Sequence, residues 1–402
     1  MISYSEANKI IEEELGKLEI KTELVGLLES TNRILAEDII SDINLPPFTN
    51  SAVDGYAIKF NEEVNKWKII GEIGAGNYKD YEIGDGLAVS IMTGGKMPPF
   101  GDSVIPIEDV IIENDKIELK GNSTYKKGMN IRKAGSDLLS NEIAINKNII
   151  IKPKHIAVAA TCGKTELKVF RKVKIGVLAT GDELIDISET PGKDKIRSSN
   201  VYSILSAIKE FNQIGVDLGI AKDDKNEIRK RIEKFIESDI DILVTSGGVS
   251  VGKYDYVKNV MEESGVKINF WRVNIKPGKP LLFGTYGNNN KTKIIFGLPG
   301  NPVSCLVNFI LFIKNNMLKA LGVIEDQSFI AELAEAIFKK DNKKHFMRGF
   351  YKKDSDGNIF VNRVGTQSSG NLAEMGKSNC LIIFDEDKIK LNKGDKVFCI
   401  PI

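Results

Sequence analysis

Ile242-Leu-Val-Thr-Ser-Gly-Gly-Val-Ser-Val-Gly252 is the stretch whose reading decides the fold. The apolar run at its start predicts a buried strand. Gly247-Gly248 then permits a sharp turn that leaves backbone N–H groups bare. Ser246 and Ser250 add hydroxyls, and Tyr254-Asp-Tyr-Val-Lys258 opens a helix. Strand, Gly/Ser loop and helix N-terminus together seat an anion such as phosphate, although a Gly-Gly pair alone also serves as a plain strand-to-helix turn. The same plan recurs in Ile175-Gly-Val-Leu-Ala-Thr-Gly-Asp-Glu183 and Ile294-Ile-Phe-Gly-Leu-Pro-Gly-Asn-Pro302. Three such loops are expected to converge at the carboxyl ends of parallel strands, where open α/β sheets bind ligands.

Outward from this stretch, residues 173–320 alternate strand and helix patterns. Strands are expected at 173–179, 216–221, 240–245, 281–285 and 293–297, and helices at 200–211, 225–237, 254–264 and 302–320. That alternation predicts a doubly wound parallel sheet with helices on both faces. Residues 46–129 read as short strands between glycine turns, a small β lobe. Residues 1–45 and 130–172 flank the lobe and are expected to form one discontinuous N-terminal domain, with 155–160 packed on the amphipathic helix at 4–18. The tail, 321–402, reads as a small β barrel. The fold class is therefore α/β plus β in a multidomain chain.

Lys+Arg number 56 against Asp+Glu 55, for a net charge of +1, which argues against a nucleic-acid or membrane-surface binder. The four cysteines lie far apart without a C-x-x-C pair, and neither of the two histidines has a metal-ligand partner at usable spacing. No structural zinc, disulfide framework or Ser-His-Asp triad is expected. The opening residues lack a basic segment followed by an apolar core, and the most apolar run, 303–313, is too short to span a bilayer. A soluble, cytoplasmic protein is the expectation.

Chemistry concentrates in a few polar clusters. Asp54 lies in a run of turn formers, Thr93 follows Ile91-Met92, and Arg132-Lys-Ala-Gly-Ser-Asp137 sets a cation and a carboxylate around a glycine. Each also has a plain reading as a turn cap, a strand end or a salt bridge. Thr180-Gly-Asp-Glu183, Asp223-Asp224 and Asp255 place carboxylates beside the anion loops, where they repel a phosphate unless a cation intervenes. Mg²⁺ is the economical resolution, although Asp223 or Asp224 could equally cap the helix that follows. Arg272, Lys276 and Lys279 lie in a segment stiffened by Pro277 and Pro280, so their charges are preorganised for an oxyanion.

These stretches, in this order, resemble the molybdopterin molybdenumtransferase family, the bacterial MoeA proteins and the E domain of gephyrin. The matching segments begin at Pro46, Thr93, Arg132, Ala179, Thr245, Ile275 and Gly297 and span nearly the whole chain. Thr49, Val53 and Ser136 depart from the family's Asp, Met and acidic residue, and Phe100 breaks a small-residue turn. The resemblance implies an elongated homodimer whose cleft lies between the α/β domain of one copy and the β lobe of the other. It implies that adenylyl-molybdopterin and molybdate yield molybdenum cofactor and AMP, with possible contact to the adenylyltransferase that supplies the substrate. By motif, Ser246, Gly247, Gly248, Ser250 and Gly252 would hold the pterin phosphate, with Pro299, Asn301 and Pro302 beside them. Glu183, Asp224 and Asp255 would hold Mg²⁺ or orient the attacking oxygen, with Asp54, Thr93, Asp137 and Arg272 also in the catalytic set. Lys276, Lys279, Pro280, Ser304, Arg348 and Ser368 would form the molybdate site. A gephyrin-like scaffold and a molybdopterin adenylyltransferase are the alternatives.

Overall fold

The structure is a computed structural model that describes residues 1–402 except 75, 122, 250–255, 288–291 and 324–327. At its centre is a six-stranded sheet in the order Ile214–Ala221, Lys174–Thr180, Ile242–Ser246, Lys293–Leu298, Leu282–Tyr286, Lys267–Trp271. The first four strands are parallel, as the alternation predicts; Leu282–Tyr286 runs antiparallel to them and Lys267–Trp271 pairs antiparallel with it, extending the sheet at one edge. Lys267–Trp271 is an added strand that the sequence reading did not assign, ending where the cationic segment of Arg272, Lys276 and Lys279 begins.

The Ile242–Ser246 strand is fully buried because both of its faces are covered. Ile242 and Val244 join Val177, Ala179, Ile204 and Ile208 on one side. Leu243 and Leu178 join Ile228, Ile232, Phe235 and Val260 on the other. Side chains alternate across a strand, so one continuous apolar run feeds two cores. The expected helices form at Ser199–Glu210, Lys225–Glu237 and Val257–Glu263. The single helix expected at 302–320 is instead Pro302–Asn308, a π turn at Phe309–Lys314, and Asn315–Ala320.

The N-terminal helix Tyr4–Leu15 joins the α/β core through Ala7, Ile11 and Leu15, and the Tyr4 ring lies 5.5 Å from Phe312 and 5.0 Å from Phe346. Residues 155–160 do not pack on that helix. The helix Pro153–Thr161 lies instead in a separate core with Leu35, Ile39, Ile145 and Val169. The outgoing and returning chain pair antiparallel, Thr22–Gly26 with Glu166–Phe170 and Asn50–Ser51 with Ile131–Arg132, forming a stem to the β lobe. The lobe is a six-stranded sheet in which Gly55–Ile58 lies between Ser103–Pro106 and Leu87–Ile91. In the tail, Lys344–Lys353, Ile359–Arg363, Phe329–Leu333, Lys396–Pro401 and Cys380–Phe384 close into a five-stranded barrel. The short strand Ile275–Lys276 pairs parallel with Lys344–His345 and ties the α/β domain to it. Among the described residues no helix is long and apolar enough to cross a membrane.

Candidate active site

Three glycine loops meet at the carboxyl ends of the parallel strands. Gly247 N–H donates to the Leu298 carbonyl at 3.0 Å, and a Cβ on Gly247 would overlap the Thr180 carbonyl. Gly247 and Gly248 have φ of +99° and +66°, so both the backbone and the space require glycine. Asn200, at the start of the helix Ser199–Glu210, donates to Ser246 Oγ at 2.7 Å and to the Gly300 carbonyl at 2.8 Å. One amide thus pins the Ser246 loop to the loop carrying Pro299 and Asn301. The sequence reading missed Asn200; its place in the polar triplet Ser198-Ser199-Asn200, just before a strongly periodic helix, was the available signal. The buried hydroxyls of Thr180 and Ser198 have no hydrogen-bond partner among the described residues.

Cys305 Sγ lies 3.6 Å from Ser246 Oγ, and burial pushes the thiol up to about 12, so it stays protonated and inert as a nucleophile. Pro302 opens the helix Pro302–Asn308 with Ser304 buried in its first turn, and Val303 N–H donates to the Ser369 carbonyl at 3.2 Å. The barrel loop that carries Ser368 therefore abuts this helix start.

The carboxylates divide. Glu183 is exposed, and its side chain makes no hydrogen bond or ion pair among the described residues. Asp224 caps the helix Lys225–Glu237 by accepting from Glu227 N–H at 2.9 Å, the alternative left open by the sequence, which leaves its second oxygen for another role. The two carboxylate loops touch, with Asp223 N–H donating to Asp182 Oδ1 at 3.2 Å. Ser250, Gly252 and Asp255 lie outside the described residues.

On the cationic side, Gly278, with φ of +95°, is held by Asn308, whose Nδ2 donates to the Gly278 carbonyl at 3.0 Å and the Pro280 carbonyl at 3.4 Å. The one amide that interrupts the apolar run after Pro302 therefore anchors the loop of Lys276, Lys279 and Pro280. Lys279 is exposed without an ion pair among the described residues, and Lys276 Nζ lies 3.7 Å from Asp341 Oδ2. Asp341 Oδ1 is 2.7 Å from Nε2 of the buried His345. Arg348 differs from the free cation expected. It is 1% exposed, and its guanidinium donates to the Ser368 carbonyl at 2.9 Å, to the Asn371 carbonyl at 3.3 Å and to Glu374 at 3.4 Å. It thus shapes the 366–374 loop, and Ser368 meets it through a backbone carbonyl.

Burial pushes the His345 imidazole below its ordinary 6.5, against the pull of Asp341. The unfolded chain therefore takes up a proton first, so the stability contributed by neutral His345 is present above pH 6.5 and is lost as pH falls below that value. The denaturant midpoint is expected to drop between about pH 7 and about pH 5, and the slope to flatten in His345→Gln. An unchanged slope in that variant would remove His345 as its source.

In the β lobe, Asp54 immediately precedes Gly55–Ile58 and Thr93 closely follows the antiparallel Leu87–Ile91, so both sit at one end of that ladder. Asp54 Oδ1 accepts from Thr93 N–H at 2.6 Å and from its hydroxyl at 2.8 Å. The amide, then the hydroxyl, hold this carboxyl below its usual range and keep it ionised. Arg132 pairs with Asp137 at 2.5 Å, and Ser136 donates its hydroxyl to Asp137 at 3.2 Å. Thr49 accepts from Ala134 N–H at 3.2 Å, so the departing residues still knit this cluster. Among the described residues no hydrogen bond or ion pair joins Asp54, Thr93 or Asp137 to the α/β loops of the same chain. A cavity of about 470 Å³, lined by Lys17, Arg171, Asp241 and Lys293 among others, opens at the amino ends of the strands, and no expected site residue lines it.

Comparison with known proteins covers the whole architecture. Residues 2–163 match the family described as MoeA N-terminal region (domain I and II), 176–319 the probable molybdopterin binding domain, and 331–402 the MoeA C-terminal region (domain IV). A Haemophilus influenzae protein named molybdopterin molybdenumtransferase is 35% identical over 392 residues, 95% of this chain and 94% of its own length. A Staphylococcus aureus protein of the same name is 32% identical over 370 residues, 89% and 86% of the two chains. The crystal structure of the molybdopterin biosynthesis moeA protein from Pyrococcus horikoshii OT3 superposes with a TM-score of 0.85 at 28% identity, covering 100% of both chains.

Proposed function

This chain belongs to the molybdopterin molybdenumtransferase family and is an enzyme of molybdenum cofactor biosynthesis, and from that premise we propose how its cleft performs the final insertion. Adenylyl-molybdopterin and molybdate enter, the adenylate is hydrolysed, and AMP leaves with the molybdenum cofactor. The observation that carries this reading is the Asn200 clamp, which holds the Ser246 loop against Gly300 and so gathers the polar glycine loops into one fixed set at the carboxyl ends of the strands. Such a set suits a phosphate, because oriented N–H and O–H donors cost no reorganisation when charge arrives. Lys276 and Lys279, on a loop fixed by Asn308, would hold the molybdate oxyanion with Ser304 and Ser368 nearby. Arg348 would serve the site by shaping the Ser368 loop.

Glu183 and the second oxygen of Asp224 suit a hard divalent ion in donor type, and Asp255 would complete the set. Bound there, Mg²⁺ would offset the charge between the carboxylates and the phosphate and polarise the scissile group. Asp54, Thr93 and Asp137 lie apart from the α/β loops of their own chain. They would reach the cleft in a homodimer, from the second copy's β lobe. We place the enzyme in the cytosol, with the adenylyltransferase as its substrate donor. Neither the scaffold reading nor ATP-dependent adenylyl transfer is favoured by the relatives' names.

The test is to mix the purified chain with adenylyl-molybdopterin, Mg²⁺ and molybdate and to follow AMP. Stoichiometric AMP release that requires both the metal and the oxyanion is expected. No release would reduce the chain to a binding protein.

A further inference from the structure

Trp271 ends the strand Lys267–Trp271, and nothing above gives it a role. Its indole Nε1 donates to the Val249 carbonyl at 2.9 Å, in the same loop as Gly247 and Gly248. The Arg272 guanidinium carbon lies 4.0 Å from the centroid of the same ring, and Lys258 Nζ lies 5.7 Å from it. Neighbouring residues of a regular strand point to opposite faces, so Arg272 would ordinarily turn away from the ring before it. It does not, because Arg272 adopts a φ of +80°, a conformation that costs a residue with a Cβ free energy. The backbone around it is fixed: Arg272 N–H donates to the Leu281 carbonyl at 2.9 Å, and its own carbonyl accepts from Ile2 N–H at 3.3 Å. The unusual backbone thus lays a cation on the ring that already holds the anion loop. Guanidinium–indole stacking at this half-buried pair is favourable, and it removes rotamer freedom that a ligand would otherwise have to freeze.

We propose that Trp271 is a positioning residue for the transferase reaction, fixing the Gly247-Gly248 loop and the Arg272 guanidinium in one geometry for the substrate's phosphates. The inference rests on the function proposed above. Trp271→Phe keeps an aromatic face for Arg272 but deletes the donor to Val249, whereas Trp271→Leu deletes both. In Phe, KM for adenylyl-molybdopterin is expected to rise about threefold to tenfold, the range for one lost neutral hydrogen bond, while KM for molybdate and the thermal midpoint stay put. In Leu, kcat is expected to fall as well. A merely structural role would lower the midpoint in both variants and leave the ratio of the two KM values unchanged; that result, or wild-type KM in Phe, overturns the proposal.

A second measurement needs no turnover. The chain has two tryptophans, and the other, Trp67, is buried in the β lobe with no partner for its indole N–H among the described residues, so Trp67→Phe strands no acceptor there. In that background all indole emission comes from Trp271, and titration with inorganic pyrophosphate is expected to change it saturably. An unresponsive signal would place Trp271 away from the phosphates and overturn the proposal. If the wild-type chain releases no AMP, the reaction falls while the pyrophosphate titration still judges Trp271.

Discussion

Glu183→Gln is expected to lower the rate of AMP release by about a hundredfold to a thousandfold, the scale of the several kcal/mol that a bound metal ion contributes to charge stabilisation. The substitution keeps volume and removes only charge. Glu183 is exposed, and its side chain has no partner among the described residues. What the loop needs from residue 183 is its backbone carbonyl, which accepts from Ile196 N–H at 2.8 Å and survives the change. Thermal unfolding should therefore coincide with wild type, within about 0.5 kcal/mol, as for an ordinary surface substitution. Activity within a factor of about two of wild type would remove Glu183 from the metal site and shift the proposal onto Asp224 and Asp255.

Arg348→Ala is expected to act in the opposite way, through the fold. It would remove the only side chain that hydrogen-bonds both the Ser368 and Asn371 carbonyls among the described residues, and would take its cation from the half-buried Glu374. Each backbone carbonyl left unpaired in a buried setting costs about 1–3 kcal/mol, and the part-exposed Glu374 adds less than the partner of a fully buried pair would. Burial already pushes the guanidinium below its ordinary pKa, with Glu374 opposing, so the site has little reserve. Arg348→Lys should recover only part of the loss, since a compact ammonium on one nitrogen lacks the planar fork by which the guanidinium reaches the two carbonyls and Glu374 from separate nitrogens. Denaturant unfolding measures the first effect. Because the 366–374 loop also meets Val303 N–H through Ser369, KM for both substrates should rise alongside. An Arg348→Ala variant as stable as wild type, with altered molybdate affinity alone, would restore Arg348 as a direct oxyanion ligand.

The contrast between these residues explains how far the sequence could be read. Charge type and loop glycines announced Glu183, Ser246 and Lys276 as candidates, since charge and turn chemistry are local properties of the sequence. Arg348 carried the same dress and proved to be buried, because a cation beside Met347 and Gly349 gives no local sign of whether it faces solvent or carbonyls. Asp224 showed the reverse ambiguity. Its capping bond to Glu227 N–H was one of two readings, and only the helix position separated them. The amides Asn200 and Asn308 were invisible as site residues, since each acts on backbone groups tens to a hundred positions away.

By itself the sequence determined the doubly wound core, the barrel, the order of the polar loops and the family, because strand burial and glycine turns follow from local pattern. Only the tertiary structure decided which loops touch: Asn200 on Ser246 and Gly300, Trp271 on Val249, Lys276 paired beside His345. It also decided that the N-terminal helix fills the α/β core rather than the stem. The physical reason is that periodicity states which face of an element is apolar, whereas the partner of that face is chosen by chain closure across hundreds of residues.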